Sequence, residues 1–206
     1  MAHYSLRVPY ENFINEVTEL ENIVTTLASQ DSSTQRDTHI EGCFIRLVVA
    51  WECFIEEYFL RCMCGGKKRT SGLIKPHVTL FKNTNEAFTK INKHRRSRDK
   101  DFTDWLDGKQ IKIRCDDFFR SNSRVHNMYE SPDKLYELTV IRNAIAHRSK
   151  SAVIKFEKYV KDQIGYLAPM NPTMASLLVQ KKRGNNKVIF CILSEYFLDL
   201  ATRLTK

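Results

Sequence analysis

Three side chains in one short stretch have types and spacing suited to moving protons and holding phosphate. The segment TVIRNAIAHRSKS, residues 139 to 151, reads mostly as an apolar helix, yet it carries Arg142, Asn143 and His147. On a helix, Asn143 and His147 are four residues apart and share a face. Arg142, five residues before His147, lies about 140° around the axis and flanks that face, within swing of a long side chain. Arginine presents a fork of donors that matches a phosphate and stays charged. Histidine can take or give a proton near neutral pH. Those groups suffice in kind for metal-free RNA cleavage, in which a base deprotonates the ribose 2′-OH, the 2′-oxygen attacks the adjacent phosphorus, and an acid protonates the leaving 5′-oxygen. The same residues also fit a structural reading. An arginine and a histidine at a helix C-terminus complement the dipole and cap free carbonyls, and Asn143 must hydrogen-bond if it is buried.

The helix carrying these residues starts at Ser131-Pro132-Asp133, with Ser as N-cap, Pro at the first position and an acid in the first turn. Leu135, Leu138, Ile141 and Ile145 keep helical period to about residue 148. Upstream, residues 9 to 29 form an amphipathic helix with Phe13, Val17, Leu20, Val24 and Leu27 on one side. After a polar break, SQDSSTQRD, a longer one spans 38 to 64, with Thr38 and Glu41 as a capping box, Ile40, Phe44, Leu47, Trp51, Phe54 and Tyr58 as its stripe, and Gly65-Gly66 as its stop. These two are expected to pack antiparallel. Residues 65 to 130 read as an irregular insertion with a short helix at 84 to 93 and a brief strand at Ile111 and Ile113. Helices at 152 to 167 and 188 to 204 complete a mainly α chain, and 175 to 181 suits either strand or helix.

Composition narrows the classes. With 206 residues and 42% hydrophobic side chains the chain can bury a core without disulfides or metal, and one domain, 1–206, is expected. No apolar run is long enough to span a membrane, and the N-terminus lacks a signal-peptide core, which points to the cytoplasm. The six cysteines then read as small buried hydrophobes. Cys62 and Cys64 with His77 match no standard zinc spacing, and no acidic cluster has two-metal spacing, so no cofactor is expected. The net charge of +9 gathers in Lys67, Lys68 and Arg69, in Arg95, Arg96 and Arg98, and in Lys181, Lys182 and Arg183. The first two clusters, with Arg148, are candidate RNA-binding residues. A solvated basic surface explains any single cluster better, and only the clusters together favour nucleic acid. His126 lies in a loop, where a histidine is usually solvated. A DNA-binding regulator is disfavoured, because no helix-turn-helix with a basic recognition helix stands out.

Arg142-Asn143-Ala144-Ile145-Ala146-His147 resembles the R-N-x-x-x-H form of the motif of the HEPN superfamily, and the aromatic-rich FIRLVVAWECFIEEYF resembles an early HEPN helix. The general pattern is closest to the RiboL-PSP-HEPN or MAE-type groups. The resemblance implies a HEPN-like helical bundle and a metal-independent endoribonuclease of toxin–antitoxin or phage-defence type. The alternative it implies is a non-catalytic module that binds nucleotide, RNA or a partner protein. Arg142 and His147 would be catalytic, and Asn143 would orient the pair or contact phosphate. A homodimer with both motifs at one cleft, and an antitoxin or defence-system partner, are implied as well. Toxins of this kind that are silenced by adenylylation carry a tyrosine two positions after the histidine. Here that position is Ser149, so that regulation is not expected.

Overall fold

In the computed structural model, which describes residues 4–67, 73–93, 104–130, 132–164, 173–181, 184 and 186–206, much of the polar break already belongs to a helix. Helix α1 runs Arg7–Ala28 and α2 runs Thr34–Met63. Ser33 caps α2: its Oγ accepts from the Arg36 N–H at 3.1 Å and its carbonyl from the Asp37 N–H at 2.9 Å. The expected capping box is therefore corrected. Thr38 lies one turn inside, its hydroxyl donating back to the Thr34 carbonyl at 2.8 Å, and the exposed face of the first turn is polar enough to pass for loop. Gly65 ends the helix as expected, at φ +83° with its N–H on the Cys62 carbonyl at 3.1 Å.

The remaining elements are strands β1 (Tyr4–Ser5), β2 (Gly66–Lys67) and β3 (Leu73–Ile74), helices α3 (Thr84–Lys93) and α4 (Gly108–Phe118), a 3-10 turn at Arg124–Tyr129, then α5 (Pro132–His147), α6 (Lys150–Ile164), α7 (Met174–Val179) and α8 (Ile189–Thr205). The chain is mainly α. The small sheet pairs β1 parallel with β2 and β2 antiparallel with β3, Gly66 opposing Tyr4 and Ile74. A Cβ at Gly66 would meet Leu6 Cδ2 at 2.9 Å and the Cys62 Cα at 3.2 Å, so a side chain there would have to displace the buried Leu6.

The chain divides into two compact units, each drawn from separated stretches of sequence. The first takes residues 1–14, 51–135 and 199–206. Its aromatic core stacks Phe13 on Phe54 at 5.2 Å, sets Trp51 edge-on to Phe13 at 5.7 Å, and gathers Trp105 and Phe119 around Phe59. Tyr58 is fully buried, and its hydroxyl donates to the Leu204 carbonyl at 3.1 Å. The expected strand at Ile111 and Ile113 is instead part of α4, capped by Asp107. Ile111, Arg114, Cys115 and Phe118 turn inward at helical spacing, while Ile113 is exposed. Arg114 hides the pattern in the sequence, because a buried guanidinium reads as polar. It lies 4.7 Å from the Trp105 ring and donates to the Asp104 carbonyl at 2.6 Å.

The second unit takes residues 15–50 and 136–198. Val17, Leu20, Val24, Ile40, Phe44 and Leu47 are fully buried in it, as are Leu138, Ile141, Phe190 and Phe197. Arg46 of α2 pairs with Glu16 of α1 at 2.6 Å. No described helix is long and apolar enough to cross a membrane. Four cysteines are buried as expected; Cys53 is exposed and Cys191 is in between.

Candidate active site at the end of helix α5

Pro132 and Asp133 occupy the first turn of α5 as the sequence indicated, and Ser131, the expected cap, lies outside the described residues. The helix buries Leu138, Ile141 and Ala144. The motif residues lie off that face: Arg142 and Asn143 are half-buried and His147 is exposed. Glu137 is buried on the same helix beside Tyr159 of α6. Burial first, and the Glu137 charge second, hold the Tyr159 hydroxyl well above its usual pKa.

The Arg142 guanidinium reaches toward the Asn143 side: Nη1 donates to Asn143 Oδ1 at 3.2 Å. Arginine has no acceptor, so the carboxamide must present its oxygen to Arg142, which leaves the Asn143 NH₂ as a donor for something else. Arg142 keeps its remaining N–H groups in a planar fork, a geometry that fits a phosphate. His147 ends α5, and among the described residues nothing holds either of its ring nitrogens. The result is an Arg142–Asn143 donor pair and an open imidazole on the last turns of one helix.

The turn after His147 is unusual. Arg148 adopts φ +45°, and it is the only non-glycine with positive φ among the described residues. Its N–H bonds the Ala144 carbonyl at 3.2 Å, an αL helix ending in which glycine normally takes this place. A side chain there costs about 1–2 kcal/mol of backbone strain. Ser149 then caps α6, its Oγ accepting from the Ala152 N–H at 3.3 Å and its carbonyl from the Val153 N–H at 3.0 Å. The Arg148 side chain reaches Glu41 of α2, Nη2 to Oε2 at 2.7 Å. Glu41, expected to cap α2, is thus part of an ion pair with a residue 107 positions away.

The other expected RNA contacts divide. Lys67 is exposed on β2. Lys68, Arg69, Arg95, Arg96 and Arg98 lie outside the described residues, as do Lys182 and Arg183. His126 corrects the expectation of a solvated loop histidine. Nδ1 lies 3.0 Å from the Tyr129 hydroxyl and Nε2 lies 2.9 Å from the Arg120 carbonyl, which it must reach as an N–H donor. Both nitrogens serve the fold of the first unit. Glu57 and Arg61 form the expected i, i+4 pair at 2.6 Å. Sequence reasoning missed Glu41, because nothing local in the sequence marks a partner so distant.

Compared with known proteins, the chain matches the sequence model of the family described as RiboL-PSP-HEPN over residues 11–167. The matched span includes α5 and also residues 65–130, which the motif resemblance alone left unexplained. No curated protein and no solved structure matches the chain.

Proposed function

The chain belongs to the RiboL-PSP-HEPN family, and from that premise we propose that it is a metal-independent endoribonuclease, acting as a toxin or phage-defence effector. HEPN domains are in general RNase-like or RNA-binding, and what favours cutting here is the Arg142–Asn143 donor pair on the same helix as the open ring of His147. In the proposed reaction Arg142 and the Asn143 NH₂ hold the scissile phosphate. His147 takes the 2′-OH proton as the 2′-oxygen bonds to phosphorus. The bond to the 5′-oxygen breaks, and that oxygen receives a proton from an acid, leaving a 2′,3′-cyclic phosphate and a 5′-OH.

One histidine cannot be base and acid at the same moment. A homodimer with both α5 ends at one cleft would supply the second imidazole, and a two-fold axis does this with a single interface. The exposure of His147 in the single chain is compatible with such a partner. On this reading residues 1–206 form one domain with residues 65–130 inserted, and Lys67 and the neighbouring basic residues guide RNA.

The test is RNA incubated with wild type, Arg142→Ala and His147→Ala, with and without EDTA, followed by analysis of the product ends. Cyclic-phosphate ends that persist in chelator and vanish in both variants support the reading. A 5′-phosphate, or arrest by chelator, refutes the mechanism. RNA retained but uncut by wild type would make the chain a binding module.

A further inference from the structure

We propose that Glu41 and Arg148 form a strut that positions His147, so that Arg148 is a positioning residue and not a phosphate contact. The inference rests on the ribonuclease reading above. Arg148 directly follows His147 and holds a left-handed backbone that glycine would adopt without strain. The turn itself does not call for an arginine, so what this residue adds there is its side chain. That side chain ends on Glu41 at 2.7 Å. The two partners differ in surroundings: Glu41 is 11% exposed and Arg148 67%. A carboxylate that buried needs a cation or donors, and the pair draws its cation from the last turn of the motif helix. Helix ends fray when nothing holds them; α2 is anchored by its buried apolar stripe, so the pair ties the last turn of α5 to an anchored helix. His147 is the residue whose ring direction that end determines.

The decisive variant is Arg148→Gly, which removes the side chain and at the same time relieves the backbone, so the fold should hold. The His147 ring resonances in NMR, the melting temperature, and kcat and KM on RNA are read together. With the strut real, Arg148→Gly stays folded, since relief of the backbone offsets part of the lost ion pair, the His147 resonances broaden or split, and kcat falls about 10- to 100-fold at nearly constant KM, the range expected for a displaced catalytic group. Glu41→Gln reproduces the change in direction, the double variant is no worse than Arg148→Gly, and Arg148→Lys recovers most of kcat. Unchanged His147 resonances and kcat in Arg148→Gly overturn the proposal. So does a rise in KM alone, which would make Arg148 a phosphate contact. If wild type cuts no RNA, the ribonuclease reading fails by itself, and the His147 resonances still decide whether the strut holds the ring.

Discussion

Replacing Asn143 by aspartate changes one atom type at the centre of the site and tests whether Arg142 works on phosphate. The carboxamide oxygen already accepts from Arg142 Nη1 at 3.2 Å. A carboxylate in the same place would add a charge pair at that distance. Coulomb attraction there is about 1.3 kcal/mol in bulk water and about 5 kcal/mol at an effective dielectric of 20. Both residues are half-buried, so the effective value lies between those limits and nearer the lower, because exposed pairs gain little. An RNA phosphate would then compete for a guanidinium held by about 1.5–3 kcal/mol more than in wild type, which is about 10- to 100-fold in kcat/KM. Asn143→Ala removes the anchor without adding charge and should cost less than Asn143→Asp. Cleavage of a labelled RNA at several salt concentrations, beside thermal melts, measures both. Aspartate as active as wild type, in a protein that melts normally, would mean that Arg142 does not meet the reacting phosphate.

His147→Ala should leave folding nearly untouched, within about 0.5 kcal/mol or 1–2 °C in Tm, because the ring is exposed and unpartnered among the described residues, while cleavage falls about 10²–10⁴-fold. Tyr58→Phe should lower stability by about 1–2 kcal/mol, read from chemical denaturation, since it strands the buried Leu204 carbonyl that Tyr58 serves at 3.1 Å. Stability should decline above pH 9. Burial, then the Asp116 charge, pushes the Cys115 thiol from its ordinary 9.0 to about 12. The unfolded chain therefore releases this proton first, and the contribution is complete below pH 9 and lost as pH rises toward 12. Cys115→Ala should flatten that slope, and an unchanged slope would show that this thiol does not carry it.

The mainly α chain was legible because its long helices bury a regular stripe and end on recognisable residues: Gly65 after α2, and Pro132 and Asp133 at the start of α5. The motif spacing was legible for the same reason, since helical period alone relates Asn143 to His147. What was not legible depends on tertiary partners. Arg114 is buried because Trp105 and the Asp104 carbonyl receive it, and without them Ile111 and Ile113 look like a strand. His126 is held by Arg120 and Tyr129, and its loop sequence alone suggests solvent. Ser33 outcompetes Thr38 as the cap of α2, a choice among several polar residues that composition does not settle. Strands of two residues, such as β1 and β2, are too short to show alternation.

The open ring of His147 also bears on how the proposed catalyst would return to its starting state. A proton lifted from a 2′-hydroxyl onto an exposed imidazole, to which no described residue of the same chain bonds, would leave by exchange with water or buffer. The return leg of the cycle would then belong to the solvent, and buffer concentration, separately from pH, would enter the turnover rate wherever that exchange is slow. The same openness would offer a simple way to silence the proposed nuclease. A protein that merely covered the end of α5 would cut off substrate and proton exchange together, without touching Arg142 or altering any residue chemically.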